Sequence, residues 1–404
     1  MTTPKNPLLF VLGIRPDVIR ASLMIRQLKQ ELGDRLVFVW SGQHYSENLK
    51  DVFFRQLGVP SPDIELNVKA DDEHDFVGNW ISSLGNVISE VNPCAVTFLG
   101  DTNTVLGSIS AAIHNTPIVH IEGCMRSYDW RMPEEKYRTV ADHLSDLIYA
   151  YLDEYKSQGL LEGLEDERII VTGNPIVDVL ETYFLSGRIR MLSADKQSFF
   201  ESFKITEKKF AVMTSHRREN VEEQLSLERI LDLASTAELP VIFPASYRTQ
   251  KSIKRFNLTI PENVMLIDPI GYVELLELMS SAQFVMTDSG TVVEETAVLQ
   301  VPSIQMRSST ERPQVYDSGS SLKFDPHVEW SRTDMFGLLG AISLRVNNTW
   351  EHGLGDGKSS TRIVKDLIER TRNPESFQGH SQTGNRRPFY RNLGFGISGL
   401  GNWR

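Results

Sequence analysis

The sequence predicts an α/β protein built as two parallel-sheet units that face each other across a cleft. Three observations carry this. The chain of 404 residues exceeds the size at which one hydrophobic core keeps growing. Short β-branched or aromatic runs alternate with longer segments of helical spacing. The alternation breaks near Leu185–Glu207 and then starts again. Such a rhythm implies parallel strands joined by helical crossovers, and open sheets of this kind bind ligands at the carboxyl ends of their strands.

In the first half, strands are predicted at Leu8–Gly13, Leu36–Trp40, Ala95–Leu99, Ile118–Ile121, Leu147–Tyr151 and Ile169–Thr172. Helical patterns fall between them at Val18–Gln30, Glu47–Leu57, Phe76–Glu90, Val105–Ile113 and Glu134–Ser145. After the loose stretch, strands are predicted at Phe210–Thr214, Val241–Pro244, Val264–Ile267, Phe284–Thr287 and Ser303–Met306. Helices accompany them at Leu225–Ala234, Tyr272–Ser280, Val292–Leu299 and Arg362–Arg370. The units are drawn as residues 1–184 and 185–373, followed by a tail over 374–404. That tail holds six glycines, four arginines and one acid, Glu375. Its glycines suit a mobile extension, while its five aromatic residues suit packing on the domain surface or on a second subunit.

Composition narrows the function classes. Hydrophobic residues at 40% and charged residues at 24% are globular values, and no apolar run approaches the roughly 18 residues of a membrane span. A net charge of −11 disfavours a phosphate-tracking surface for nucleic acid, but a small phosphorylated ligand needs only a local Arg or a helix N-terminus. The opening MTTPKNP lacks the apolar core of a secretory signal. Cys94 and Cys124 offer neither a disulfide framework nor metal-ligand spacing. A cytoplasmic protein is expected.

Polar clusters fall where predicted strands end. Gly13-Ile14-Arg15-Pro16-Asp17 follows the first strand; Arg15 reads as a phosphate cation at a helix start or as an ordinary surface residue. Asp101, after Gly100, reads as a helix cap or a site carboxylate. His120-Ile121-Glu122-Gly123 ends another strand, and Pro133-Glu134-Glu135 has the form of a plain helix entry. Three carboxylates converging from successive strand ends would shift one another's pKa values and supply acids and bases near neutrality. In the second half, Ser215-His216-Arg217-Arg218-Glu219 and Asp288-Ser289-Gly290-Thr291 each follow a strand. Ser289-Gly290 at a helix mouth fits a phosphate cradle. Glu294 and Glu295 behind it read as ribose partners or as an acid-rich first turn. An ATPase loop, a dinucleotide glycine triplet, a zinc spacing and a nucleophile elbow are all missing from the sequence.

Taken together, the segments GIRPDVIR, SGQHYSENL, LGDTNTVLGS, HIEGCMRSYDWRMPEEKYRT, VTGNPIVDVL, SHRREN, LIDPIGY, DSGTVVEE, RSSTERPQ and GDGKSSTRI resemble, in order and spacing, the non-hydrolysing UDP-N-acetylglucosamine 2-epimerases. The tail after Arg372 lies outside the resemblance. It implies the glycosyltransferase-B architecture of two Rossmann-like domains, with Asp101, Glu122, Glu134 and His216 as catalytic residues. It implies nucleotide contacts from Arg15, Ser289, Gly290 and Glu295, with Arg312 nearby, Glu295 on the ribose and Asp268–Tyr272 beside uracil. Departures occur within the same segments. Arg20 stands where many members have Lys, Cys124 lies beside Glu122, and Thr291 replaces a second glycine of the phosphate loop. Gln43 and His44 of an activator-binding segment are present, but Ser46 and Ser246 fill its other two places, so the resemblance leaves substrate activation open. Arg20 and Val52-Phe53-Phe54 look more like siblings acting on other UDP-acetamido sugars.

The chemistry implied by the resemblance is elimination of UDP from a UDP-amino sugar followed by re-addition, which requires neither NAD nor metal, so no cofactor is expected. Relatives of this kind are commonly homodimers. The rival readings are a hydrolysing epimerase, a UDP-sugar glycosyltransferase and a non-catalytic nucleotide-sugar binder.

Overall fold

The computed structural model of the chain describes residues 6–42 and 54–377. Gln43, His44, Ser46, Val52, Phe53 and the tail beyond Phe377 lie outside the described residues, as does the side chain of Arg15. So does most of the predicted helix Glu47–Leu57.

The first half forms a parallel sheet from β1 (Leu8–Leu12), β2 (Leu36–Trp40), β3 (Ile64–Glu65), β4 (Ala95–Leu99), β5 (Ile118–Ile121), β6 (Leu147–Ala150) and β7 (Ile169–Val171), ordered β3-β2-β1-β4-β5-β6-β7. The second half repeats the scheme with β8 (Ala211–Thr214), β9 (Val241–Pro244), β10 (Val264–Ile267), β11 (Phe284–Thr287), β12 (Ser303–Met306) and β13 (Ser321–Phe324), ordered β10-β9-β8-β11-β12-β13. Central strands such as Leu8–Leu12 are apolar at every position and buried throughout, because helices cover both faces of a parallel sheet. Strand order reverses between β1 and β4, and again between β8 and β11. These two reversals open the crevices where ligands enter such sheets. The turns after β1, β4, β8 and β11 carry Arg15, Asp101, His216 and Ser289.

The stretch Leu185–Glu207, expected to be loose, contains a helix at Ser193–Ser202. That helix and Asp153–Leu161, also unassigned from the sequence, bury few residues and carry no one-sided apolar stripe. The helix Tyr247–Arg255 buries only Thr249, Ser252 and Ile253. The first two lack helical periodicity, and Tyr247–Arg255 is strongly one-sided but holds too few apolar residues to mark a buried face.

The last long helix, Ser359–Arg372, packs on Arg15–Leu32 of the first half although it follows the second sheet in sequence. Arg35 donates to the Thr371 carbonyl at 2.8 Å and Tyr149 donates its hydroxyl to Asp366 at 2.6 Å. Asp178 caps the helix by accepting from the backbone of Ser359 and Ser360 at 3.2 and 2.7 Å. The helix therefore ties the end of the second half to the body of the first. Cys94 and Cys124 are both free and buried. Among the described residues no helix is long and apolar enough to cross a membrane.

Candidate active site

The first half delivers its carboxylates from strand ends, each braced differently. Asp101 follows Gly100, which sits at φ 88°, and does not cap the next helix, whose N-cap is Thr102. It pairs instead with Arg138, which also holds Glu135 at 3.0 Å. Burial alone would raise the Asp101 carboxyl, but Arg138, Arg217 and Arg312 outweigh it and leave the group below the ordinary carboxylate range. The two acids of Pro133-Glu134-Glu135 divide their work. Glu135 is buried and accepts from the Ser127 and Tyr128 amides at 3.1 and 2.8 Å and from the Ser127 hydroxyl at 2.9 Å. Glu134 is half-buried, and burial pushes its carboxyl up against the pull of Arg217 in the other half.

Glu122 sits at φ 75° and Cys124 at φ 65°, a left-handed conformation that costs a residue with a β-carbon energy and persists only where its surroundings enforce it. The enforcing groups are buried. The Glu122 and Gly123 amides donate to the Tyr149 carbonyl at 3.0 and 3.3 Å, and the Cys124 amide donates to Asp142 at 2.9 Å. A β-carbon on Gly123 would lie 2.7 Å from Asp142 Oδ1, so only glycine fits between. His120 bridges Asp142 (2.7 Å) and the Gly100 carbonyl (2.8 Å), joining the turn that carries Glu122 to the one that carries Asp101. Burial acts to raise Asp142, but His120 and Arg126 hold it low.

Arg20, on the first turns of Arg15–Leu32, spreads its guanidinium between Glu122 and Asp17, the latter at 2.7 Å. Burial raises Asp17 to about 7 despite that cation. No side chain caps this helix at Ile14, so its first amides are open to a ligand.

In the second half the helix Gly290–Val298 starts at the β8/β11 crevice with Ser289 as N-cap, its hydroxyl accepting from the Val292 amide at 3.4 Å. A β-carbon on Gly290 would lie 2.5 Å from Arg312 Nη1; the glycine lets that guanidinium approach the helix mouth. Thr291 is half-buried on the same turn. Arg312 holds Glu122 at 2.7 Å, Glu294 at 2.9 Å and Glu311 as well. Glu294 and Glu295 are both buried. Burial raises Glu295 to about 8, although the Tyr272 hydroxyl donating at 2.8 Å opposes the rise. His216 is half exposed, its ring otherwise walled by protein, and this desolvation lowers its pKa against the pull of Asp288 3.3 Å away.

The structure thus brings Glu122 of the first half onto Arg312 of the second, and sets Asp101 and Glu134 within electrostatic reach of Arg217. A recess of about 440 Å³ at the mouth is walled by Asp129, Met132 and Pro133 on one side and Arg218, Arg307 and Ser309 on the other. A larger groove of about 860 Å³ along Arg26, Val59 and Pro62 lies at the β3 edge, away from these groups. Among the described residues no cluster of His, Cys, Asp or Glu has the form of a metal site. Sequence reasoning left Arg138, Glu311, Asp288 and Asp17 out of the site. The spacing of Glu134 and Arg138, one helical turn apart on Pro133–Leu144, was the available sign for the first; Asp17 and Glu311 likewise have near neighbours in Arg20 and Arg307, while Asp288 finds its partners 68 or more residues away.

Comparison with known proteins identifies the family and the fold. The profile of the family described as UDP-N-acetylglucosamine 2-epimerase matches residues 26–368. A UDP-N-acetylglucosamine 2-epimerase of Methanocaldococcus jannaschii is 34% identical over 368 residues, covering 88% of this chain and 97% of its own. A UDP-2,3-diacetamido-2,3-dideoxy-D-glucuronate 2-epimerase of Pseudomonas aeruginosa is 30% identical, covering 90% and 99%. The crystal structure of the M. jannaschii UDP-GlcNAc 2-epimerase with UDP-GlcNAc and UDP superposes with a TM-score of 0.81 at 31% identity, covering 90% of this chain and 99% of that one. The Neisseria meningitidis UDP-GlcNAc 2-epimerase bound to UDP-GlcNAc superposes at 0.78 with 26% identity over 90% and 100%. The fold is therefore two Rossmann-like domains of the glycosyltransferase-B type, and the chain belongs to the UDP-N-acetylglucosamine 2-epimerase family.

Proposed function

We propose that this protein interconverts UDP-N-acetylglucosamine and UDP-N-acetylmannosamine without hydrolysis. The observation that carries the reading is the meeting of first-half carboxylates with Arg312 and the Gly290 helix mouth across one gap. The hydrogen on the acetamido carbon has no neighbouring carbonyl to acidify it. The C1–O bond to UDP breaks first, its electron pair leaving with the diphosphate. A carboxylate then takes the C2 proton, and the C–H electrons form the C1–C2 double bond of 2-acetamidoglucal. A second acid protonates C2 from the opposite face, and UDP oxygen re-forms the bond to C1.

Each demand has candidate groups. Arg15, Arg20 and Arg312, with Ser289, Gly290 and Thr291 at the helix mouth, neutralise the departing diphosphate. Glu295 takes the ribose hydroxyls and Asp268–Tyr272 lies beside the base. Asp101, held anionic, serves as a base, while Glu134, whose carboxyl is pushed up, is suited to donate; environments that push two carboxyls apart divide acid from base. Glu122 completes the proton-transfer set and His216 lies on the diphosphate side. Closure of the halves keeps glycal and UDP together until they recombine.

A second reading, a sibling 2-epimerase of another UDP-acetamido sugar, is favoured by Arg20 and by the Pseudomonas relative. The exposed apolar side chains Ile113, Val140 and Leu144 on adjacent helices suit a homodimer, and two free buried thiols suit a reducing cytoplasm. The deciding experiment incubates the protein with a panel of UDP-acetamido sugars in deuterium oxide and reads products by NMR. The proposal expects deuterium at C2 and both epimers as UDP conjugates. Free sugar with UDP would indicate a hydrolysing enzyme; binding without label at any sugar would reduce the protein to a binder.

A further inference from the structure

Asp288, the residue between β11 and the Ser289 cap, is fully buried and collects donors from a loop on another strand. It accepts from the Ser215 hydroxyl at 2.8 Å, the His216 amide at 2.9 Å, the Arg217 amide at 3.0 Å and the Asn220 side chain at 3.2 Å, all four on Oδ2. Oδ1 carries only the longer contact to the His216 amide at 3.1 Å and faces His216 Nδ1 at 3.3 Å. The approach is an ion-pair contact and not a formed hydrogen bond, but a carboxylate oxygen only accepts, so it favours N–H on the imidazole nitrogen facing it and leaves the lone pair on the other ring nitrogen. Half of the His216 side chain is exposed.

We propose that Asp288 is a positioning residue for His216: it clamps the 215–220 loop and fixes the Nδ1–H tautomer, presenting Nε2 to the diphosphate side of the site. The assignment rests on the epimerase reading for its purpose, but its geometry stands apart from it. In the neutral form Nε2 accepts a proton; once protonated it donates to the oxygen leaving C1. Because Asp288 adjoins Ser289 and Gly290, the same carboxylate aligns the imidazole with the helix mouth that takes the phosphates. The charged groups around the ring are Asp288 from the turn after β11, Arg217 and Glu219 from its own loop, and Arg248 from Tyr247–Arg255.

The test measures His216 by NMR in the full chain, using its ring ¹⁵N shifts and its titration. In the unaltered protein the neutral ring is expected as the Nδ1–H tautomer; finding Nε2–H overturns the proposal without any variant. In Asp288→Asn the carboxamide can offer N–H to Nδ1. The tautomer is then expected to invert, and the imidazole to titrate about one pH unit lower because the facing negative charge is gone. With a sugar that the unaltered enzyme turns over, kcat should fall at least about tenfold with KM within about twofold. Ser215→Ala removes one clamp bond and leaves the carboxylate, so the tautomer should persist. An unchanged tautomer and titration in Asp288→Asn would reduce Asp288 to a structural tether. Lack of C2 deuteration by the unaltered protein would sink the epimerase reading while leaving this measurement valid.

Discussion

The Glu122 carboxylate and the Arg312 guanidinium meet at 2.7 Å across the gap between the two halves, both of them almost fully buried. Arg312 is held as well by Glu294 and Glu311, and Glu122 by Arg20. Charges removed from water in this way are tolerable only while paired.

Arg312→Met would leave buried Glu294 without its ion-pair partner and take one of the cations from Glu122 and from Glu311, which keep Arg20 and Arg307. A stability loss of about 3–5 kcal/mol is expected in denaturant unfolding, with weaker UDP binding by calorimetry. The exposed Arg131–Asp129 pair is the contrast: Arg131 is 76% exposed, and Arg131→Ala should cost under about 1 kcal/mol in the same assay. Equal losses would show that the Arg312 cluster is no more than surface electrostatics.

Asp101→Asn, Glu122→Gln and Glu134→Gln should each lower turnover by at least about a hundredfold while keeping the fold by circular dichroism. Near-normal rates in all three would refute their assignment as proton-transfer groups.

Arg138→Met removes a cation that keeps Asp101 ionised. With its folded value below the ordinary 3.8, Asp101 adds stability that is present above that pH and lost as pH falls through the lower folded value. The variant loses this contribution, so its acid unfolding midpoint, followed by circular dichroism, should move to higher pH. A midpoint that stays in place would mean that Arg138 does not hold Asp101 ionised.

Glu295 works in the opposite sense. Its folded value is raised to about 8 from 4.5, so the proton it binds stabilises the fold fully below pH 4.5, and that benefit fades as pH rises through 8. Glu295→Gln keeps the shape and needs no proton. It should be more stable than the parent by roughly 1–3 kcal/mol above pH 8 and should bind UDP less tightly, one of its two ribose-accepting oxygens being replaced by an amide donor. A thermal midpoint that falls at alkaline pH in parallel with the parent would contradict this.

Gly290→Ala places a methyl group 2.5 Å from Arg312 Nη1 and 2.8 Å from its Cζ, and that side chain cannot swing away without breaking its carboxylate contacts. UDP affinity is expected to fall at least about tenfold, since the clash closes the helix mouth. Calorimetry with UDP alone reads this; unchanged affinity would remove Gly290 from the phosphate cradle.

The strand positions and the clusters at their ends were legible because each is local. Phe284–Thr287 is four consecutive buried residues, and the polar turn that follows cannot continue a strand. Asp101 was separated from a capping role only by its contacts, while Glu134 does stand in the first turn of its helix. Asp101 meets Arg138, and Glu135, not Glu134, secures the 127–128 turn. The two-residue strand β3 is too short to be read, and the helix Tyr247–Arg255, although one-sided, is too polar to announce a buried face.

The sequence by itself determined two α/β units, the turns that carry chemistry and the family to which their residues point, because strand and helix periodicity and turn composition act over a few neighbouring residues. Only the tertiary structure decided that Arg312 answers Glu122, that Asp288 holds the His216 loop, and that the final helix returns to the first half. Those outcomes depend on which charges and amides find partners 68 to 336 residues away, and a buried polar group must take whichever partner the folded chain brings within hydrogen-bond reach.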